Sequence, residues 1–478
     1  MLPSEVRTRR QFLSTSALGM GSVALAHLLR EQNLLAAPHM PKENPKFDMT
    51  AKPPHAPAKA RAMISLFMHG GPAHMDLLDP KPELTKHSGT DYSGEIIYSF
   101  ANRASKKLFG SPFKFEKRGQ CGTEVSELLP HLSTIVDDIA VVRSMHTDIN
   151  GHEASIWYLN TGKSQPGRPA LGSWLCYGLG SESQDLPAYC VLSDPGGHPV
   201  DGVRNWSNGW LPPLYQGTVI RPQEPRILNL DPPPHLRGLR QQQNLDLLSD
   251  LNQFHLEHHP GESDLEARIA SYELAARMQS AAKEALDISG ETQATRELYG
   301  LDNPETAEYG TRCLIARRLV ERGVRFVQLF MAGQPWDNHQ DIRAGLPSIC
   351  KKTDQPSVAL VKDLKARGLL DTTLVHWGGE IGRLPVTEGD GDKCGRDHNG
   401  QGYSMWLAGG GIKGGITYGE TDEFGHKAVV NPVGPNDYQA TLMHLFGMDH
   451  NRLAYHYNGQ EQKLTDNQSC RVVSELLA

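Results

Sequence analysis

The sequence predicts an α/β protein with three layers, an α/β/α sandwich in which helices cover both faces of a mostly parallel, doubly wound sheet. Short apolar segments typical of strands alternate along the chain with longer segments of helical periodicity. Segments 62–68 and 188–192 are apolar almost throughout, as strands buried on both faces usually are. Histidines and carboxylates follow several of these segments, and ligands gather at the carboxyl ends of strands in such sheets.

The composition favours a globular protein and excludes some classes of function. Of the 478 residues, 38% are hydrophobic and 22% are charged, which suits a soluble domain with a large core. The formal net charge of −7 gives no basic surface for nucleic acid, so we expect no nucleic-acid partner. The seven cysteines form no CxxC pair, which argues against a disulfide framework and against a thiolate zinc site.

The N-terminus has the features of an export signal. Arg9 and Arg10 precede the apolar segment 13–29, a pattern typical of a twin-arginine signal peptide, which we assign to residues 1–37. The segment is short and rich in small residues, so we expect no integral membrane span after signal removal. The proline-rich residues 38–60 indicate a linker. We therefore expect a periplasmic or secreted protein.

The remaining residues, 61–478, form the predicted α/β domain. Its first strand, at 62–68, leads into a glycine turn with His69, His74 and Asp76 close behind it. The turn has neither of the glycine patterns that bind phosphate in nucleotide-binding loops. These three side chains are the first group of candidate metal ligands.

A second polar group follows the strand predicted at 139–145. The amphipathic segment 125–136 predicts a helix that leads into this strand. Thr147 and His152 come after the strand, and a further helix begins near His152 and ends before Gly162. The first turn of such a helix presents free N–H groups to an anion.

Two long segments separate this junction from the third polar group. Residues 163–240 are rich in Pro, Gly and Trp and indicate an irregular insertion, while 240–288 have the clearest helical pattern and indicate scaffold. A strand at 324–330 then precedes Asp337 and His339.

The last group lies in the segment on which the rest of the chain is organised, 371–425. A helix predicted at 357–367 leads into an apolar strand at 372–377, and Glu380 follows the end of that strand. The glycine-flanked turns beyond it carry Arg383, Arg396, Asp397 and His398.

Together these residues indicate a metal site. Mixed histidine and carboxylate sets suit Zn²⁺, Mn²⁺ or Fe, whereas all-oxygen sets suit Ca²⁺ or Mg²⁺. We expect a divalent metal, Zn, Mn or Ca, with Asp337, His339 and His398 as its first ligands. The other candidate ligands are Glu380, Asp397, His74, Asp76 and His69. Any single histidine among the 21 has an ordinary alternative as a hydrogen-bonding or surface residue.

Five motifs carry a family resemblance; they lie at 68–76, 143–147, 336–339, 379–383 and 395–398. In combination they resemble domain of unknown function 1501, a bacterial family exported by the twin-arginine pathway. That family is distantly similar to sulfatases and to the alkaline phosphatase superfamily. The resemblance covers nearly the whole mature chain and implies an alkaline phosphatase-like fold.

The resemblance also implies roles for individual residues. In the superfamily a nucleophile begins a helix that Thr-Gly closes, and the matching position here holds His152, with Thr147 as the nearest hydroxyl. Histidine can accept a phosphoryl group but cannot become formylglycine. His69 stands where the superfamily has a metal-binding Asp, and Ile381 stands where it has a metal-binding His. The implied picture is one metal site retained and a second one altered or lost.

Two functions follow from this interpretation. The first is an exported metal-dependent hydrolase of phosphate or sulfate esters, acting on a small-molecule or polysaccharide substrate. His152, Thr147 or a metal-activated water would attack, and Arg383 and Arg396 would stabilise the developing negative charge. The alternative is a non-catalytic, degenerate superfamily member that binds glycan or a protein partner. A structural envelope protein has only the export signal in its favour.

Overall fold

The computed structural model describes residues 48–99, 104–258, 263–389, 391–466 and 468–478. The predicted signal peptide at 1–37 and the first part of the predicted linker, residues 38–47, lie outside these residues. In the described part of the chain the central sheet has eight strands: β1 (Ala62–Phe67), β2 (Ile139–Met145), β3 (Tyr189–Leu192), β4 (Thr218–Ile220), β5 (Phe326–Leu329), β6 (Thr373–Gly378), β7 (Tyr403–Ala408) and β8 (Ile416–Tyr418).

The strands lie in the order β8-β2-β7-β6-β1-β5-β3-β4. Every pairing in this sheet is parallel except those of β7, which runs antiparallel to both β2 and β6. The prediction of a mostly parallel sheet is therefore confirmed. Because β7 is reversed, its start lies at the same edge as the ends of β1, β2, β5 and β6.

Helices cover both faces of this sheet. The longer ones are α1 (His152–Thr161), α2 (Leu171–Leu179), α3 (Leu239–His258), α4 (Ser263–Leu286), α5 (Ala307–Glu321), α6 (Ile342–Ala366) and α7 (Pro435–Leu445), and the shorter ones are His74–Leu77, Pro82–Lys86 and Gln293–Leu298. None of the helices in the described ranges is long and apolar enough to cross a membrane.

Two hydrophobic cores fill the space between the sheet and its helices. Successive side chains of a strand point to opposite faces. Accordingly, Ile64 and Leu66 of β1 join the core that includes α5 and α6, whereas Met63 and Phe67 join the core that includes α1, α2 and α7. The predicted three-layer architecture is confirmed by this alternation.

Five small two-stranded sheets lie outside the central one. They pair Ala104–Leu108 with Val386–Glu388, Phe115–Arg118 with Thr123–Ser126, Gly382–Arg383 with His398–Asn399, Glu420–Thr421 with Ala428–Val430, and Tyr455–Tyr457 with Gln460–Gln462. The first and the third of these border the candidate site, because they hold Glu388, Arg383 and His398 in place.

Two helix predictions need correction. The helix expected at 125–136 is wrong: a strand ends at Ser126, and the rest forms turns that include Leu132–Thr134 and Val136–Asp138. Pro130 explains the difference, because its ring removes an N–H group that a helix would need. The helix expected at 357–367 is in fact α6, which begins fifteen residues earlier at Ile342.

Candidate metal centre

The candidate site lies at the edge of the sheet where the parallel strands end. Asp337 and His339 follow β5, and Glu380 follows β6. His152 is the first residue of α1, which follows β2, and His398 precedes the reversed strand β7. Residues that are far apart in sequence therefore meet at one edge, where open α/β sheets bind their ligands.

Two glycines allow the backbone to pack this closely. Gly70 has φ +110°, and a Cβ added there would lie 2.7 Å from the backbone N of Asp337. A Cβ on Gly395 would lie 2.2 Å from the backbone O of Asn338. Real Cβ atoms do not approach backbone atoms so closely, so the segment 337–339 fits only between glycines. The glycine-flanked motifs thus serve to place the two ligand-type side chains of that segment.

Four side chains converge at the centre of the site. His152, Asp337, His339 and His398 each offer one ligand atom, and these atoms all lie within 4.8 Å of one another. Oδ1 of Asp337 lies 3.0 Å from Nε2 of His339 and 3.2 Å from Nε2 of His398. The Nε2 atoms of these two histidines are 2.9 Å apart. The predicted trio of Asp337, His339 and His398 is therefore brought together, and His152 joins it.

Each of the three histidines uses its other ring nitrogen to contact an acceptor. Nδ1 of His152 lies 2.6 Å from Oε1 of Glu380, and Nδ1 of His339 contacts Oε2 of Glu388. Nδ1 of His398 donates to the carbonyl of Asn150 at 2.8 Å. A carbonyl can only accept, so a neutral His398 carries its proton on Nδ1 and turns the lone pair of Nε2 towards Asp337.

Charge and burial are balanced within this cluster. Although burial opposes ionisation, Arg383 and the three histidines hold the pKa of Asp337 well below its usual range. Burial also opposes a charge on His152, but its contacts with Asp337 and Glu380 outweigh burial and raise its pKa to about 9. Burial lowers the pKa of His398. Asp337 is thus a permanently ionised centre for the rings around it.

The cluster opens to solvent on one side. The side chain of His339 is 28% exposed, compared with 15% for Asp337, 11% for His398 and 7% for His152. Glu380, which orients His152, is fully buried. The cluster is therefore most accessible to solvent at His339.

The four donors fit a transition metal. The buried Nε2 of His152 has no hydrogen-bond partner among the described residues and lies 3.4 Å from Oδ2 of Asp337. With the Nε2 atoms of His339 and His398 it makes three imidazole nitrogens around one carboxylate. That mixture suits Zn²⁺ or Mn²⁺, whereas Ca²⁺ prefers oxygen ligands alone. The cluster therefore could hold a divalent metal, as the sequence predicts.

Arg383 is placed against the cluster, and most of its donors are occupied. The guanidinium contacts Oδ1 of Asp337 and donates to the carbonyls of Gly70, Gly71 and Arg396, and the residue is fully buried. It therefore ties three segments of the site together. The expected role of stabilising charge on a substrate stays a prediction, with one of the five N–H groups left to serve it.

Arg396 and Asp76 form a separate buried ion pair. Nε and Nη2 of Arg396 donate to the two carboxylate oxygens of Asp76 at 2.8 and 3.2 Å, and neither side chain is exposed. The guanidinium also stacks on the ring of Phe109. The roles expected from sequence, a metal ligand for Asp76 and a charge stabiliser for Arg396, do not match this placement, since each residue neutralises the other.

The remaining candidates surround the cluster. Nε2 of His74 lies 2.7 Å from the carbonyl of Gly425, and the ring of His69 packs edge-on against His152 at 6.2 Å between centroids. Thr147 is buried, and its hydroxyl has no hydrogen-bond partner among the described residues. Neither histidine belongs to the donor set.

Asp397 and Glu388 differ from what the sequence indicates. Asp397 accepts the backbone N–H groups of His398 at 2.8 Å and Ser99 at 3.2 Å, and its Oδ1 lies 3.9 Å from Nδ1 of His339, on the side of that ring away from the four donors. With His339 and Glu388 it forms a second, smaller group of ligand-type side chains. Glu388 is absent from the sequence prediction, yet its carboxylate contacts His339. No strand of the central sheet ends at Glu388, so strand-end reasoning has no signal for it.

The chain matches one protein family over most of its length. The family model described as a protein of unknown function, DUF1501, covers residues 60–477. No curated protein matches the sequence.

Several solved structures are similar to this chain at low identity. The lipoteichoic acid synthase LtaP from Listeria monocytogenes is 9% identical with a TM-score of 0.32, over 84% of this chain and 76% of that one. The PsFucS1 sulfatase from Pseudoalteromonas sp. is 12% identical with a TM-score of 0.35, over 82% and 68%. A mutant of the TAB5 alkaline phosphatase, from an Antarctic bacterium, is 12% identical with a TM-score of 0.33, over 76% and 95%.

Proposed function

The chain belongs to the DUF1501 family of proteins of unknown function, and we propose that it is an exported metal-dependent hydrolase of phosphate or sulfate esters. The observation that carries the proposal is the convergence of His152, Asp337, His339 and His398 within 4.8 Å. Three neutral imidazoles and one carboxylate leave a divalent cation with net positive charge, which is what an anionic ester requires of its site.

The residues of the chain would divide the work as follows. His152, Asp337, His339 and His398 hold the cation, which supplies Lewis-acid chemistry to a bound ester. Arg383 braces Asp337 and keeps its carboxylate ionised. The exposed side of His339 admits the substrate. Glycan esters and small esters both fit an open site of this kind, and the twin-arginine signal at 1–37 would deliver the enzyme to such substrates outside the cytoplasm.

Neither of the two nucleophiles that the sequence predicts is available at this cluster. His152 begins α1, where a nucleophile was expected, but its ring is one of the four donors and its Nδ1 is held by Glu380. Thr147 is buried. We therefore propose water as the nucleophile, with no covalent intermediate on the chain.

Metal analysis and hydrolysis assays test this proposal together. The protein purified from the periplasm should hold about one equivalent of Zn or Mn and hydrolyse some member of a panel of phosphate and sulfate esters. A chelator should abolish turnover, and the metal should restore it.

Asp337→Asn should lose both metal and turnover. Asp392→Asn is the matched control, because it removes a carboxylate from an exposed residue outside the donor set and should keep both. Wild-type protein that holds no metal sinks the proposal.

A non-catalytic binding protein is the second candidate, and two observations favour it. Most donors of Arg383 and of Arg396 are already occupied within the protein. Ile381, buried beside Glu380, brings no ligand atom to the site. This candidate predicts glycan or protein binding that His398→Ala leaves unchanged. Metal-loaded protein that turns over no ester in the panel, yet retains such binding, would select it over the hydrolase.

A further inference from the structure

The glutamate at 388 has a specific task in the site. We infer that Glu388 is a positioning residue, which holds His339 so that its Nε2 faces the other donors; this inference rests on the proposed metal centre. Oε2 of Glu388 contacts Nδ1 of His339 while Nε2 of the same ring lies 3.0 Å from Oδ1 of Asp337. A proton on Nδ1 satisfies the carboxylate and leaves the lone pair on Nε2 for a cation.

The backbone fixes Glu388 before any ligand arrives. Its N–H donates to the carbonyl of Gly395 at 2.9 Å, and the N–H of Gly395 donates back at 2.8 Å. The strand Val386–Glu388 also pairs with Ala104–Leu108. Gly395 in turn packs against the backbone of segment 338–339. One backbone bridge therefore ties the carboxylate of Glu388 to the segment that carries its histidine.

His339 depends on this support more than the other two rings. It is the most exposed donor, with 28% of its side chain accessible, so packing restrains it least. Asp397 is the nearest substitute, at 3.9 Å from Nδ1 of His339, but both of its oxygens already accept backbone N–H groups. Without Glu388 the ring is free to rotate or to place its proton on Nε2, and either change removes a donor.

Metal titration of three variants tests the inference. Calorimetric titration with Zn²⁺, together with the visible absorption of the Co²⁺-loaded protein, reports affinity and coordination independently of any activity. Glu388→Ala should weaken binding by about 10- to 100-fold, the usual effect of losing such a partner. Glu388→Gln keeps a neutral acceptor and should recover most of the affinity, to within about threefold to tenfold of wild type, since neutral hydrogen bonds are about half as strong. Asp392→Asn removes the same charge from an exposed residue and should stay within about twofold.

The outcomes separate this inference from the proposed function. If Glu388→Ala binds Zn²⁺ as tightly as wild type, or if Glu388→Gln weakens binding as much as Glu388→Ala, the inference is wrong even where the wild type hydrolyses esters. If the variants follow the expected order but the wild type hydrolyses nothing, the inference stands and the hydrolase proposal falls. Wild-type protein that binds neither metal overturns both. Should Glu388→Ala fail to fold, the Zn²⁺ affinities of Glu388→Gln and Asp392→Asn are compared instead. Weaker binding by Glu388→Gln supports the inference, and equal binding by the two variants contradicts it.

Discussion

Two neighbouring groups of charged residues use their charges in opposite ways. In the candidate metal centre, Asp337 faces three histidines and one side stays open to solvent. Two residues before His398, Arg396 pairs with Asp76 through two hydrogen bonds, and neither side chain is exposed. Asp76, Arg396 and His398 all come from the glycine-containing motifs at 68–76 and 395–398. In the first group Nε2 of His152 makes no hydrogen bond to a described residue, whereas in the second both carboxylate oxygens of Asp76 accept from Arg396.

This difference shows what separates a binding site from scaffold. Residue type does not, because a carboxylate stands at the heart of each group. Saturation does: a buried pair that satisfies itself holds the fold. Ring nitrogens that converge on one carboxylate without a hydrogen bond among the described residues, such as Nε2 of His152, can instead exchange a proton for a cation. Removing one member of each group should therefore change stability in one case and metal binding in the other.

The largest effect is expected from the scaffold pair. Asp76→Ala leaves Arg396 charged, buried and without its carboxylate, which typically costs about 3–5 kcal/mol. Chemical denaturation of the metal-free protein should show this loss. The double variant Asp76→Ala with Arg396→Met should recover part of it, because the unpaired charge is gone. A single variant that loses less than about 1 kcal/mol would mean that the pair is not scaffold.

The opposite pattern is expected from the metal centre. His398→Ala removes one of four donors but leaves no buried charge unpaired, so Zn²⁺ affinity should fall by at least about 100-fold, more than for a supporting residue. The free energy of unfolding without metal should change by only about 1 kcal/mol.

His74→Ala is the matched control for this variant. His74 is buried and bonded to the carbonyl of Gly425, outside the donor set. Its variant should lose about 1–3 kcal/mol of stability while keeping metal affinity. If both histidine variants bind Zn²⁺ equally, the four donors do not form a metal site.

The sequence predicts the candidate metal centre better than it predicts the buried ion pair. Apolar segments predict the sheet, and the polar residues behind them predict that Asp337, His339 and His398 meet. The pairing of Asp76 with Arg396, 320 positions apart, depends on tertiary contacts that no local pattern reports. The same holds for Glu388, which stands in a small sheet at the rim. The sequence predicts only the last part of helix α6 for a local reason: Pro347 and Pro356 lie inside the helix, and proline normally ends one.

Replacing Gly395, the residue before Arg396, should lower both the stability of the protein and its affinity for Zn²⁺. Gly395→Ala places a Cβ 2.2 Å from the backbone O of Asn338, so the segment that carries His339 has to move. Overpacking of this kind costs about 1–3 kcal/mol, and Zn²⁺ affinity should fall with it. Gly290→Ala is the control, because no atom lies within 4 Å of its added Cβ. Differential scanning calorimetry with and without Zn²⁺ measures both effects, and a variant that matches Gly290→Ala would show that the packing is loose.

The smallest expected effect is a pH dependence of stability that comes from a buried histidine with no carboxylate in contact with it, unlike His152 and His339. His376 of β6 is buried and lies 3.1 Å from Oγ of Ser65, and burial lowers its pKa to about 3. The unfolded chain binds a proton near its ordinary pKa of about 6.5, so the folded state binds fewer protons below that value. Stability from this group is therefore full above about pH 6.5 and is lost as the pH falls towards about 3.

The measurable part of this loss is modest near neutrality. Between about pH 7 and about pH 5.5 the wild type should lose about 1 kcal/mol through His376, and His376→Gln should show that much less pH dependence. Urea denaturation of the metal-free proteins at both pH values measures the difference. Equal slopes in wild type and variant would show that His376 is solvated or paired with an anion. His376 would then resemble His152, whose carboxylate partners raise its pKa. Burial would then not be what makes the pKa of His376 differ from that of His152.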